Sequence, residues 1–186
     1  MKPGPPTLSF ATMNATRILA EQHREIGALF DQLAEQTRQH GRARLMSLLA
    51  EELIAHLAGE DAVFYRAVRD VLRARRAATA RLRTKRLLLR TQLRRVLETP
   101  LSDDSFGPRL GALRACFDWH VEDEERDLFP RAEAALGRAA LESLGADVCA
   151  SRPPIWIVTT EGRPLPAASR HFALRSGISL PIRSRG

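Results

Sequence analysis

HLAGEDAVFY (His56–Tyr65) and HVEDEERDLFP (His120–Pro130) decide how this chain is read. In each stretch a glutamate follows a histidine by four residues, and the stretch runs into an aromatic close. Residues four apart lie on one face of a helix. His56 with Glu60, and His120 with Glu124, therefore each present an imidazole and a carboxylate side by side. Helix bundles build paired-metal sites from a Glu on each of two helices with a His one turn away. One pair alone would say little. Two pairs on helices of similar pattern, with His23 at a matching level on another helix, point to a metal site inside a four-helix bundle.

Working outward from these stretches, Asn14 is placed to cap a first helix over about 15–39. Its apolar stripe is Ile18, Leu19, Ile26, Leu29, Phe30 and Leu33, and His23 lies on the same stripe. Gly41 is read as the break. A second helix is expected over about 43–72, through Leu45, Leu48, Leu49, Leu53, His56, Phe64 and Val71, with the next turn near 73–76. A third covers about 77–98 and stops before Pro100, and LSDDS at 101–105 offers N-cap residues for a fourth helix over about 106–136. Pro108 fits the first turn of that helix, and Pro130 is expected to bend it or end its regular part. A short helix over about 138–149 follows Gly137.

The domain reading is a leader over 1–13, a bundle over 14–149 and a basic, Pro-rich tail over 150–186. The tail reads as largely irregular; Ile155 to Val158 form an apolar run without a clear strand partner. The expected fold is all-α: an up-down-up-down four-helix bundle with a short extra helix and an irregular C-terminal tail. A weak internal repeat supports it. Leu19, Ile26, Phe30 and Leu33 match Leu82, Leu89, Leu93 and Val96, while His56 and Glu60 match His120 and Glu124.

The apolar content is mostly Leu and Ala, which favours helices. No stretch approaches the roughly 20 apolar residues of a membrane span, and the first residues lack a continuous apolar run, so no signal peptide is read. Cys116 and Cys149 give neither a disulfide framework nor metal-binding spacing, which makes a reducing cytoplasm the default location. The net charge of +7 is uneven: from Arg66 to Arg95 the arginines and Lys85 are opposed only by Asp70. Such a patch attracts nucleic acid, anionic lipid or acidic protein, or is simply a solvated face. No aromatic residues interleave with the arginines, as single-strand binding would want.

Imidazole and carboxylate together suit iron, manganese and zinc. At this point the sequence resembles a known family. AEQHREIGALF, HLAGEDAVFY and HVEDEERDLFP are similar to the motifs of hemerythrin-like domains, the HHE cation-binding family, over about residues 14–149. The resemblance implies a four-helix bundle with a non-haem di-iron centre, in which Glu60 and Glu124 bridge the irons and His23, His56 and His120 bind them terminally. It further implies a metal-binding protein that binds or senses dioxygen, nitric oxide or peroxide. Catalysis is not implied, since no nucleophile has a partnered base.

One departure stands out. The family pattern has a further His on the third helix, and RLRTKRLLLRTQL contains none. The internal repeat sets Arg86 opposite His23; another alignment sets Arg81 or Leu82 there. Arginine cannot ligate a cation. A second reading is therefore a metal-poor interaction module that uses the Arg-rich third helix and tail on an acidic partner or nucleic acid. In it Arg86 pairs a glutamate as an interior salt bridge. Among the other polar residues, Asp61 and Glu125 either tune the site from behind the ligands or face solvent, and Tyr65 and Trp119 either shield the pocket or serve helix packing. Cys116 is a soft ligand or a small buried residue, and His40 and His171 read as solvated.

Overall fold

The computed structural model describes residues 14–69 and 76–151, together with the backbone of 157–158 and 164–165. Helix α1 spans Ala15–Glu35, and the Asn14 side chain accepts the Arg17 N–H at 2.9 Å as its cap. The break comes at 36–38, where Gln36 adopts extended backbone, rather than at Gly41. Helix α2 runs Gln39–Gly59 and holds Gly41 in its first turn. A first-turn N–H has no intrahelical partner to lose, so glycine costs less there than mid-helix. Helix α2 passes through a π-helical turn, Glu60–Phe64, into a last α-turn, Tyr65–Ala67.

Helix α3 covers Arg76–Leu97, and most of the turn expected before it lies outside the described residues. Helix α4 spans Phe106–Asp123, with Pro108 in its first turn. Ser105 precedes it without a side-chain cap bond; instead Asp103 accepts the Ser105 N–H at 2.8 Å. A second π-turn, Glu124–Leu128, leads into α5, Phe129–Ala150. Pro130 sits in the first turn of α5, where its missing N–H is least costly, so it neither ends nor interrupts that helix. The real kink is Gly137, with φ 73°, which sets off 138–150 as the short extra helix.

In the tail, Ile157–Val158 (β1) does have a partner: it pairs antiparallel with Pro164–Leu165 (β2). In a two-stranded ladder every strand is an edge, which is where proline is tolerated.

Helix α1 packs on α2 and α5, and α3 packs on α4. The connection at 36–38 is short enough to force antiparallel neighbours. The chain is thus an all-α four-helix bundle with the short added helix. Its interior is divided. One apolar cluster gathers Ile26, Phe30, Leu53, Leu89, Leu113 and Phe117, and the other gathers Ile18, Leu19, Phe64, Leu82, Leu128 and Phe129. Helices α1 and α3, and α2 and α4 followed on through their π-turns, contribute to both, and between the two contributions lie polar residues: His23, then His56 and Glu60, then Arg86, then His120 and Glu124. The fold buries a polar layer between two greasy ones. Among the described residues no helix is long and apolar enough to cross a membrane.

Candidate metal centre

His23, His56, Glu60, His120 and Glu124 converge in that layer. Each offers one donor atom, and these atoms lie within 4.8 Å of one another. All five residues are at most 3% exposed. His56 Nε2 stands 3.0 Å from Glu60 Oε1 and 3.3 Å from His120 Nε2. His120 Nε2 is 3.4 Å from Glu60 Oε1 and 3.7 Å from Glu124 Oε2, while His23 Nε2 is 3.4 Å from Glu124 Oε2. Helix periodicity explains the convergence: each His–Glu pair spans one turn, and the antiparallel neighbours meet at the same level.

Two rings have their outer nitrogens held. His56 Nδ1 lies 2.9 Å from Gln22 Oε1, and His23 Nδ1 lies 2.8 Å from Glu125 Oε1. Amide and carboxylate oxygens only accept, so both rings donate from Nδ1 and turn Nε2 inward. This is how metal-ligating histidines are usually oriented. Sequence reasoning missed Gln22. Its signal was a polar amide on the row Ile18–Gln22–Ile26, four residues from an isoleucine on either side. Gln22 is buried.

Both glutamates open a π-turn, a local widening frequently found at functional sites. The residue closing each π-turn bonds back to its glutamate: Tyr65 N–H to Glu60 O, and Phe129 N–H to Glu124 O. These two aromatics occupy equivalent places in the repeat. The Tyr65 hydroxyl donates to Glu124 Oε1, and the Phe129 ring stacks on His23 with centroids 5.8 Å apart.

Burial pushes the His56 imidazolium down to about 4, against the opposing charge of Glu60. Burial works the same way on His23, but the nearby carboxylates of Glu124 and Glu125 outweigh it and raise the ring to about 9. Burial also opposes charge on His120, and the charges of Glu124 and Glu60 raise it nonetheless. Glu60 is held well below the carboxylate range: burial pushes it up, and the charges and hydrogen bonds of His56 and His120 more than reverse that. Burial and then the Glu60 charge push Glu124 up. Burial, with the charges of Glu124 and Glu60, also pushes the Tyr65 phenol well up, so it remains a donor.

The other polar residues sort out by direction. Trp119 is 51% exposed and shields nothing, since it points about 100° away from His120 on the helix. Cys116 is buried in the apolar cluster below the site, outside the donor set, and burial pushes its thiol up. Asp61 faces Arg86 at 2.5 Å and also pairs with Arg90. His40 is exposed, and His171 lies outside the described residues. On α3, Arg86 is the residue that reaches the layer, its Nη2 3.6 Å from Glu60 Oε2. Arg81 is exposed near Asp123, and Leu82 is buried in the upper apolar cluster.

The donor set itself tests whether a cation suits this place. His23 Nε2, both Glu60 oxygens and Glu124 Oε2 are buried and lack a hydrogen-bond partner among the described residues. Such atoms cost about 1–3 kcal/mol each when nothing engages them, and each of the three residues turns a donor atom into the same cluster. A cation there would engage one donor atom from each. Fold and site together define a helix bundle with a histidine- and carboxylate-lined cation centre.

The family model for the hemerythrin HHE cation binding domain matches residues 14–143, and the chain belongs to that family. A solved structure of a hemerythrin HHE cation binding domain-containing protein from Mycobacterium kansasii is similar at 25% identity and a TM-score of 0.66, covering 90% of this chain and 95% of that one. No curated protein matches.

Proposed function

We propose that this chain binds non-haem iron through His23, His56, Glu60, His120 and Glu124, and uses it to bind or sense dioxygen, nitric oxide or peroxide. The observation that carries this is the convergence of five buried donors, with the inward atoms of His23, Glu60 and Glu124 left without a hydrogen-bond partner among the described residues. Five mixed nitrogen and oxygen donors exceed the four that structural zinc takes, and they match iron or manganese. Bound iron would supply affinity for a small diatomic ligand. The protein's part is to hold two rings in one tautomer through Gln22 and Glu125, to keep the Tyr65 hydroxyl donating to Glu124, and to exclude bulk water with apolar layers above and below.

Elemental analysis of protein purified without added metal tests the reading. Iron should be the main metal, and Glu60→Gln or Glu124→Gln should lower iron content and Tm together, because occupation of the site stabilises the fold by linkage. Unchanged metal content in both variants would remove the two carboxylates from the site.

A further inference from the structure

The repeat that relates the two halves of the bundle continues into the site. Helices α2 and α4 correspond at an offset of 64 (120 − 56), and α1 and α3 at an offset of 63 (82 − 19), which sets Arg86 against His23. The contacts follow the same correspondence. His23 places one nitrogen 3.4 Å from Glu124 Oε2 and the other 2.8 Å from Glu125. Arg86 places one nitrogen 3.6 Å from Glu60 Oε2 and another 2.5 Å from Asp61. A guanidinium thus stands where the symmetry of the bundle puts a ligand. It is also fixed there. It lies 4.1 Å over the Tyr65 ring centroid, donates to the Leu57 carbonyl at 3.2 Å, and its side chain is 12% exposed.

We infer that this centre holds a single cation, in the half of the site that His23 completes, and that Arg86 is the permanent positive charge of the other half. The inference rests on the cation-binding reading above. A guanidinium stays protonated and cannot ligate. It faces Glu60 Oε2, the oxygen a second ion would need, and presents that ion with a like charge. Ligands at about 2.0–2.2 Å from one ion stand at most about 4.4 Å apart, so the five donors, within 4.8 Å of one another, need to close in only slightly to share one ion. Two ions about 3.5–4 Å apart would spread their outer ligands farther. Charge agrees as well: one divalent ion balances Glu60 and Glu124, while Arg86 pairs with Asp61, which it shares with Arg90.

The test is equilibrium dialysis of the full, chelator-stripped chain against manganese(II), with bound metal counted by mass spectrometry and its magnetic state read by electron paramagnetic resonance. The wild type should saturate near one equivalent, with the signal of an isolated ion. Arg86→His should saturate near two, with that signal lost to coupling. Two equivalents in the wild type overturn this inference and leave the cation reading standing; none overturns the cation reading itself. A folded Arg86→His that stays at one equivalent shows that Arg86 is not what limits the site. Should that variant not fold, Arg86→Gln removes the charge alone. A second, weaker equivalent is then expected, and its absence overturns the role given to the charge.

Discussion

A cation that binds His23 must displace its proton, and the structure sets how hard that is. The ring is held up to about 9 because the carboxylates of Glu124 and Glu125 beside it outweigh burial. At pH 7, two units lower, about one ring in a hundred is neutral. Apparent cation affinity should therefore climb about tenfold per pH unit from 7 to 9, about 100-fold or roughly 2.7 kcal/mol altogether, and level off above. His56, pushed down to about 4, is already neutral and adds nothing. The assay is competition for manganese(II) against a chelator of known pH dependence, at constant ionic strength from pH 6.5 to 9.5. Glu125→Gln removes one of the bonds that raise His23 and should move the rise to lower pH. A wild-type affinity that changes less than about threefold between pH 7 and 9 would mean that His23 is not held protonated at neutral pH, or does not ligate.

Without metal, the same two rings give stability a maximum near pH 6.5. His23, raised to about 9 from 6.5, stabilises fully below 6.5 and loses that contribution as pH rises to about 9. His56, lowered to about 4 from 6.5, loses stability as pH falls from 6.5 toward 4, where the unfolded chain takes up the proton first. Thermal melts of the chelator-treated protein check this, and a Tm that climbs steadily from pH 6.5 to 9 contradicts it. Gln22→Leu leaves the His56 Nδ1–H buried and unpaired, so it should cost about 1–3 kcal/mol in urea unfolding and about 10–100-fold in cation affinity; no change in affinity would deny Gln22 its orienting role. Phe117 is buried and packs against Phe30 at 5.5 Å and His23 at 6.1 Å between ring centroids. Phe117→Ala should cost about 3–5 kcal/mol by urea unfolding, and a loss below about 1 kcal/mol would show that the cluster refills the space.

The sequence alone determined the bundle and the five donors that converge in it. The His–Glu spacing on α2 and α4, and the place of His23 in an apolar stripe, are local facts, because a helix converts a spacing of four into a shared face wherever it occurs. The stripes also carried the internal repeat, since burying one face of each helix is what makes four helices pack. Features that depend on which neighbour a side chain meets were decided only by the tertiary structure. Three residues of α3 competed for the place opposite His23, and the rotation of α3 against α2 selected Arg86 over Arg81 and Leu82. Gln22 and Glu125 became ring partners across helix contacts that no spacing encodes. Trp119 was turned outward by the same rotation that turned His120 in. The two π-turns were likewise invisible to a reading based on 3.6-residue periodicity. They depend on a hydrogen-bond shift of one residue, seen in the Tyr65 N–H bond to Glu60 O and the Phe129 N–H bond to Glu124 O.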